Sequence, residues 1–349
     1  MDWLFESLQN RVLFGPGRAA AAAEELARLG ADRILVVASA GAAARAEPLL
    51  QALAPITVGR FEGVKPHCPI ETVEAAEAAL RACGADGVLT IGGGSAIGVA
   101  KNLRLRTGVA SLVLPTTYSG AEMTPIYGAL VGTEKRTGRD PAAKPQTVIY
   151  DPTLTLALGR TETAETGMNA LAHCFEAFYP DPPNPLAALL AQEGILALFE
   201  GLPASVAAPT ALAGRTAALR GAFLGGLLVQ LVGIRLHHRI CHVLGGRYGA
   251  PHGASNSVML PYVVALNAEA IRSAAPDLEA RLGGPIATAV QRLARSLGAP
   301  RSLAELGVQR ADLGEIAHET LEKPPFNPTP VDAARLVELL AQAWDGADA

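Results

Sequence analysis

The chain has 349 residues, half of them hydrophobic and 18% charged, with 29 basic against 33 acidic side chains and a net charge of −4. That is the composition of a globular protein large enough for two domains, and it excludes a disordered chain. No basic stripe stands out, which argues against a nucleic-acid partner.

Cys68, Cys83, Cys174 and Cys241 form no C-x-x-C pair, so neither a zinc ribbon nor a redox dithiol is expected, and scattered single cysteines suit a reducing, cytoplasmic setting. Met1-Asp2-Trp3-Leu4 carries no basic region followed by a long apolar run, so no signal peptide is predicted. No bilayer span is predicted either, since the apolar Gly221 to Ile234 segment is short and glycine-rich.

In chain order, Ala19 to Ala23 reads as helix. Arg33 to Val37 is a buried strand, and Ala42 to Leu53 a helix in which Pro48 marks a break or restart. Ile56 to Phe61 is a strand, Ile70 to Cys83 a helix, Gly87 to Ile91 a strand, Ser95 to Leu105 a helix, and Ser111 to Leu114 and Thr147 to Tyr150 are strands. This alternation predicts a parallel, Rossmann-like sheet covered on both faces. Beyond Asp151-Pro152 the texture becomes alanine- and leucine-rich with 3.6-residue periodicity, broken at Pro180 to Pro185 and Pro324 to Pro330. Residues 1–157 are therefore expected to form a dinucleotide-binding α/β domain and residues 158–349 an all-α substrate domain.

Two loops at strand ends carry cofactor chemistry. Gly92-Gly93-Gly94-Ser95 closes a strand and opens a helix. Glycines there let backbone N–H groups approach a pyrophosphate, and the helix terminus favours its charge. The competing explanation is a tight turn with Ser95 as N-cap. The second loop runs from Pro115 to Thr124, with Thr116, Thr117 and Thr124 as phosphate or ribose contacts.

The histidines cluster. Asn169 and His173 stand four apart on a predicted helix, as do His238 and His242 on another, and His252 comes after a short glycine-containing loop. Three imidazoles with a neutral Asn169 amide make a weak metal site, because the anionic ligand is missing.

These pieces resemble the iron-containing (group III) alcohol dehydrogenases over nearly the whole chain: Gly92-Gly93-Gly94-Ser95, Pro115-Thr116-Thr117, Asp151-Pro152, Gly167-Met168, His238-x-x-x-His242 and Pro251-His252-Gly253. The resemblance implies the dehydroquinate synthase-like fold of that family. It also implies metal-ligand positions at Asn169, His173, His238 and His252, with His242 beside the substrate. The family ligand set is Asp, His, His and His. Asn169 in place of the Asp looks like the maleylacetate reductase branch, as do Thr137-Gly138-Arg139-Asp140, Asn327-Pro328 and Gly98, which stands where metal-dependent members commonly carry Asp. Pro251 to Asn256 looks more like the alcohol dehydrogenases proper.

The resemblance implies an NADH- or NADPH-dependent oxidoreductase that reduces the C=C bond of a 4-oxohex-2-enedioate with no resident metal. His242, His173, His238 and His252 would serve catalysis, and Gly92, Gly93, Gly94, Ser95, Thr116, Thr117, Thr124 and Lys135 would hold the cofactor. Arg139, Lys135 and Arg239 are candidates for the anionic substrate, and a homodimer is implied. The alternatives are a metal-dependent alcohol dehydrogenase or aldehyde reductase, a lyase of the dehydroquinate synthase kind, and a non-catalytic nucleotide-binding module.

Overall fold

The computed structural model describes residues 10–132, 134–323 and 326–349, and leaves the Lys135 side chain undescribed. Met1 to Leu4, Pro324 and Pro325 thus lie outside the described residues. The described residues up to Leu158 form one compact unit and Gly159–Ala349 another.

The first unit is built on a six-stranded parallel sheet in the order β1-β8-β5-β4-β2-β3. Its strands are β1 (Arg11–Phe14), β2 (Ile34–Ala38), β3 (Thr57–Phe61), β4 (Gly87–Gly92), β5 (Ala110–Pro115) and β8 (Thr147–Tyr150). The β-branched runs explain the arrangement, because alternate residues serve opposite faces. Leu35, Val37 and Val88 pack against Val73, Ala76 and Leu80 of the helix α1 (Ile70–Cys83). Ile34, Val36, Leu89 and Ile91 pack with Leu26 and Leu50 on the other side.

The predicted helix from Ala42 to Leu53 is two helices, Ala40–Arg45 and Glu47–Ala52. Pro48 lies in the first turn of the second, where a missing N–H costs nothing. The alanine run is a 3₁₀ turn, Arg18–Ala21, leading into the helix Ala22–Arg28.

Two features were not predicted. β1 is a short edge strand paired with β8. An antiparallel hairpin joins β6 (Ile126–Val131) to β7 (Glu134–Arg139). The helix α2 (Gly94–Thr107) holds that hairpin: Lys101 Nζ donates to the Ile126 carbonyl (2.8 Å) and Asn102 Nδ2 to the Gly128 carbonyl (3.1 Å). Asp151, after β8, is a structural anchor. Its carboxylate accepts from the backbone N–H groups of Gly17 (3.1 Å), Ala19 (2.9 Å) and Thr153 (3.0 Å).

The second unit is helical. Its site is carried by α3 (Arg160–Glu176), α6 (Leu236–Tyr248) and α7 (His252–Leu266). The prolines at 180–185 separate α3 from α4 (Pro185–Ala207), which Asn184 caps by accepting from the Ala187 N–H. α4 and α5 (Leu212–Val232) meet through glycines: a Cβ on Gly201 would stand 2.2 Å from the Ala218 nitrogen. These two helices correct the sequence expectation on length, since each is long and apolar enough to cross a membrane. The glycines that seemed to interrupt the apolar run instead serve helix packing, and much of both helices is buried within the unit.

Candidate active site

In the α/β unit, β4 ends at Gly92 and α2 starts at Gly94. The N-cap is Gly93, not Ser95, which sits in the first turn. No side chain caps this terminus, so its first N–H groups are suited to an anion. A Cβ on Gly93 would lie 2.7 Å from Cγ2 and 2.9 Å from Oγ1 of Thr117, so the glycine is required by the neighbouring loop itself.

The Thr116 N–H donates to the Gly92 carbonyl (3.1 Å), which aligns the two loops. Thr117 Oγ1 is buried without a hydrogen-bond partner among the described residues. Thr116 also lines a cavity of about 240 Å³ together with Arg45, Ile91, Thr153 and Leu154. A bare helix terminus, an orphaned hydroxyl and a cavity at the carboxyl ends of parallel strands fit a dinucleotide.

Thr124 is placed differently. It is buried, and its hydroxyl accepts from Lys101 Nζ (3.0 Å) and donates to the Ala121 carbonyl (3.3 Å). The Lys135 side chain lies outside the described residues.

In the helical unit, the predicted histidines converge. Asn169 and His173 share one face of α3 with Glu176, three residues further on. The Asn169 amide lies within reach of three imidazole Nε2 atoms: His173 (3.2 Å), His252 (3.1 Å) and His238 (3.4 Å). The rings of His173 and His238 stack with centroids 4.1 Å apart and planes 3° from parallel. His242 is exposed, and its ring centroid is 5.7 Å from that of His252. Gly253 brings α7 against α3, since a Cβ there would stand 2.3 Å from Cβ of Glu165.

Glu176 is a site residue the sequence did not flag. Its carboxylate, wholly buried, lies 2.6 Å from His238 Nδ1 and accepts the backbone N–H groups of Arg235 (3.0 Å) and His238 (3.3 Å). The available signal was its position on the Asn169–His173 face.

Asn256 fixes the start of α7. Its Nδ2 donates to the His252 carbonyl (2.7 Å), and its Oδ1 accepts from His237 Nε2 (2.7 Å). Arg239, a sequence candidate for substrate binding, is instead committed to the Glu319 (2.6 Å) and Thr320 (3.4 Å) carbonyls, a cation at a helix C-terminus. Arg139 ends β7 and is exposed.

Burial dominates the electrostatics. It holds His173 and His238 well below the usual histidine range, and neighbouring histidines push them further down. Both stacked rings are therefore neutral near pH 7. Burial also raises Glu176, while the His237 and Arg235 charges and its two backbone donors oppose the rise.

A divalent ion does not fit this donor set. None of the four groups is an anionic ligand, which weakens binding of a dication. Parallel stacked rings share no in-plane point, so one ion cannot lie on the lone pairs of both His173 and His238. Among the described residues no group of three or more His, Cys, Asp or Glu is arranged to hold a metal.

Known proteins match both units. The family model for iron-containing alcohol dehydrogenase matches residues 9–152, and that for the C-terminal part of the Fe-containing alcohol dehydrogenase family matches residues 163–344. The chain belongs to the iron-containing alcohol dehydrogenase family, and it is an oxidoreductase. Within that family it falls on the maleylacetate reductase branch. It is 39% identical over 345 residues to the maleylacetate reductase of Rhizobium sp. (strain MTP-10005), covering 99% of this chain and 98% of that protein. It is 39% identical over 340 residues to maleylacetate reductase 1 of Cupriavidus pinatubonensis, covering 97% and 96%. The crystal structure of maleylacetate reductase from Agrobacterium tumefaciens superposes with a TM-score of 0.95 at 39% identity over the whole of both chains.

Proposed function

We propose that the protein reduces the conjugated C=C bond of maleylacetate (4-oxohex-2-enedioate), giving 3-oxoadipate, with NADH or NADPH and without a metal, in the degradation of aromatic compounds. The observation that carries this is the likeness to maleylacetate reductases along the full chain. The Asn169 amide among the imidazoles supports the metal-free part.

The bound nicotinamide supplies a hydride. It enters at the alkene carbon β to the ketone, the C=C π pair moves to form an enolate, and a proton then completes the reduction at the α carbon. The protein's task is to stabilise charge at the ketone oxygen and to deliver that proton. Imidazole donors serve the first need. His242, exposed beside His252, is the proton donor. Gly92, Gly93, Gly94, Ser95, Thr116 and Thr117 hold the cofactor. The working form is a cytoplasmic homodimer.

The test is product identification. Purified protein with NADH and maleylacetate should yield 3-oxoadipate and one NAD⁺ per substrate. Turnover of simple aldehydes with none of maleylacetate would reject the assignment in favour of an aldehyde reductase.

A further inference from the structure

We infer that the Asn169 side chain is a positioning residue that occupies the place of a metal, its NH₂ group donating to the bare Nε2 atoms of His238 and His252 and its oxygen accepting from Nε2–H of His173. This arrangement belongs to the resting protein, whatever its substrate.

Two independent observations lead to the same amide orientation. The first starts at Glu176. Its carboxylate collects the backbone N–H groups of Arg235 and His238 and stands 2.6 Å from His238 Nδ1. Both of its oxygens are already acceptors, Oε2 for the Arg235 N–H and Oε1 for the His238 N–H. The oxygen that accepts the Arg235 N–H also faces His238 Nδ1, and as an acceptor it calls for the His238 proton on Nδ1, which leaves Nε2 bare. A bare nitrogen needs a donor, and the amide atom facing it at 3.4 Å also faces His252 Nε2 at 3.1 Å. That atom is the nitrogen, one hydrogen to each ring.

The second observation starts at His173. Its Nδ1 is buried with no hydrogen-bond partner among the described residues. A proton there would be an unsatisfied buried donor, costing about 1–3 kcal/mol. The proton therefore belongs on Nε2, where the other end of the Asn169 amide waits at 3.2 Å. Only the oxygen accepts it. Turning the amide by 180° exchanges its two polar atoms without moving a neighbour, so both requirements are met together.

The amide also answers the stacking geometry. One ion cannot serve two parallel rings 4.1 Å apart. An amide presents two atoms on either side of one carbon, and so serves one ring with each. An aspartate in its place would offer acceptors alone and leave His238 Nε2 facing a negative oxygen.

Long-range ¹H–¹⁵N correlation spectra of protein labelled in histidine report which ring nitrogen carries the proton, with signals assigned from single histidine variants. The structure predicts His238 and His252 protonated on Nδ1 and His173 on Nε2, in the resting wild type. In Asn169→Leu, His238 should keep its form, because Glu176 sets it, while the His173 and His252 signals should show mixed tautomers. A His238 signal protonated at Nε2, or a His173 signal protonated at Nδ1, overturns the inference, and the wild-type spectrum alone decides. None of these outcomes depends on maleylacetate being the substrate.

Discussion

Lys101 Nζ donates a 3.0 Å hydrogen bond to Thr124 Oγ1 inside the α/β unit, where both residues are buried. Burial pulls the lysine down to about 7, with the Glu122 charge opposing and Lys144 assisting. The folded value lies below the unfolded one near 10.5. Between these values the unfolded chain binds more protons, so this residue's contribution to stability rises with pH. The penalty for a buried charge is full below pH 7 and is relieved as pH climbs above it. Urea unfolding of wild type and Lys101→Met should therefore show a stability difference that shifts in favour of wild type from pH 6 to pH 9. A difference independent of pH would mean that the lysine stays charged throughout.

The Gly93–Thr117 contact separates two reasons for a glycine. Gly93→Ala should cost about 1–3 kcal/mol, the usual scale of overpacking, because its Cβ would strike the Thr117 side chain. Adding Thr117→Ala removes the two atoms struck and should restore most of that loss. If cofactor binding, tracked by nucleotide fluorescence quenching, is weaker in the stable double variant than in Thr117→Ala alone, the pyrophosphate also needs the bare Cα. Recovery of both together would mean that packing alone demanded the glycine.

Cofactor choice should be loose. After β2 come Ser39, whose hydroxyl accepts from the Ala42 N–H, and then Ala40 and Gly41. No carboxylate stands there to hold the adenine ribose and repel a 2′-phosphate. Kinetics with each cofactor should agree within about tenfold, or about 1.4 kcal/mol. A thousandfold preference for NADH would be incompatible with that loop.

Much of this site was legible in the sequence, and the gaps have physical causes. The buried strands announced themselves because both faces are apolar. β1 is apolar but only four residues long, Arg-Val-Leu-Phe at the sheet edge, and β7 reads Glu-Lys-Arg-Thr-Gly-Arg, so one is too short and the other too polar to stand out. The i, i+4 spacing exposed Asn169 with His173 and His238 with His242. Glu176 was passed over because a carboxylate is usually solvated, and only its partners on another helix reveal that it is buried. Arg239 looked free beside the cluster for the opposite reason, since the carbonyls that claim it come from residues 80 positions away or more.

His242 should matter for turnover more than for folding, since its side chain is exposed on α6. His242→Ala is expected to lower kcat by about a hundredfold or more, the scale of a lost acid catalyst, at little cost in stability. Unchanged kcat in the folded variant would move the proton donor elsewhere.

The most direct test of a metal-free reductase is turnover of maleylacetate after exhaustive chelation, paired with elemental analysis of the same sample. The lack of an anionic ligand and the stacked His173–His238 pair predict full activity and no stoichiometric iron or zinc. Activity lost on chelation and regained only with added iron or zinc would contradict the account.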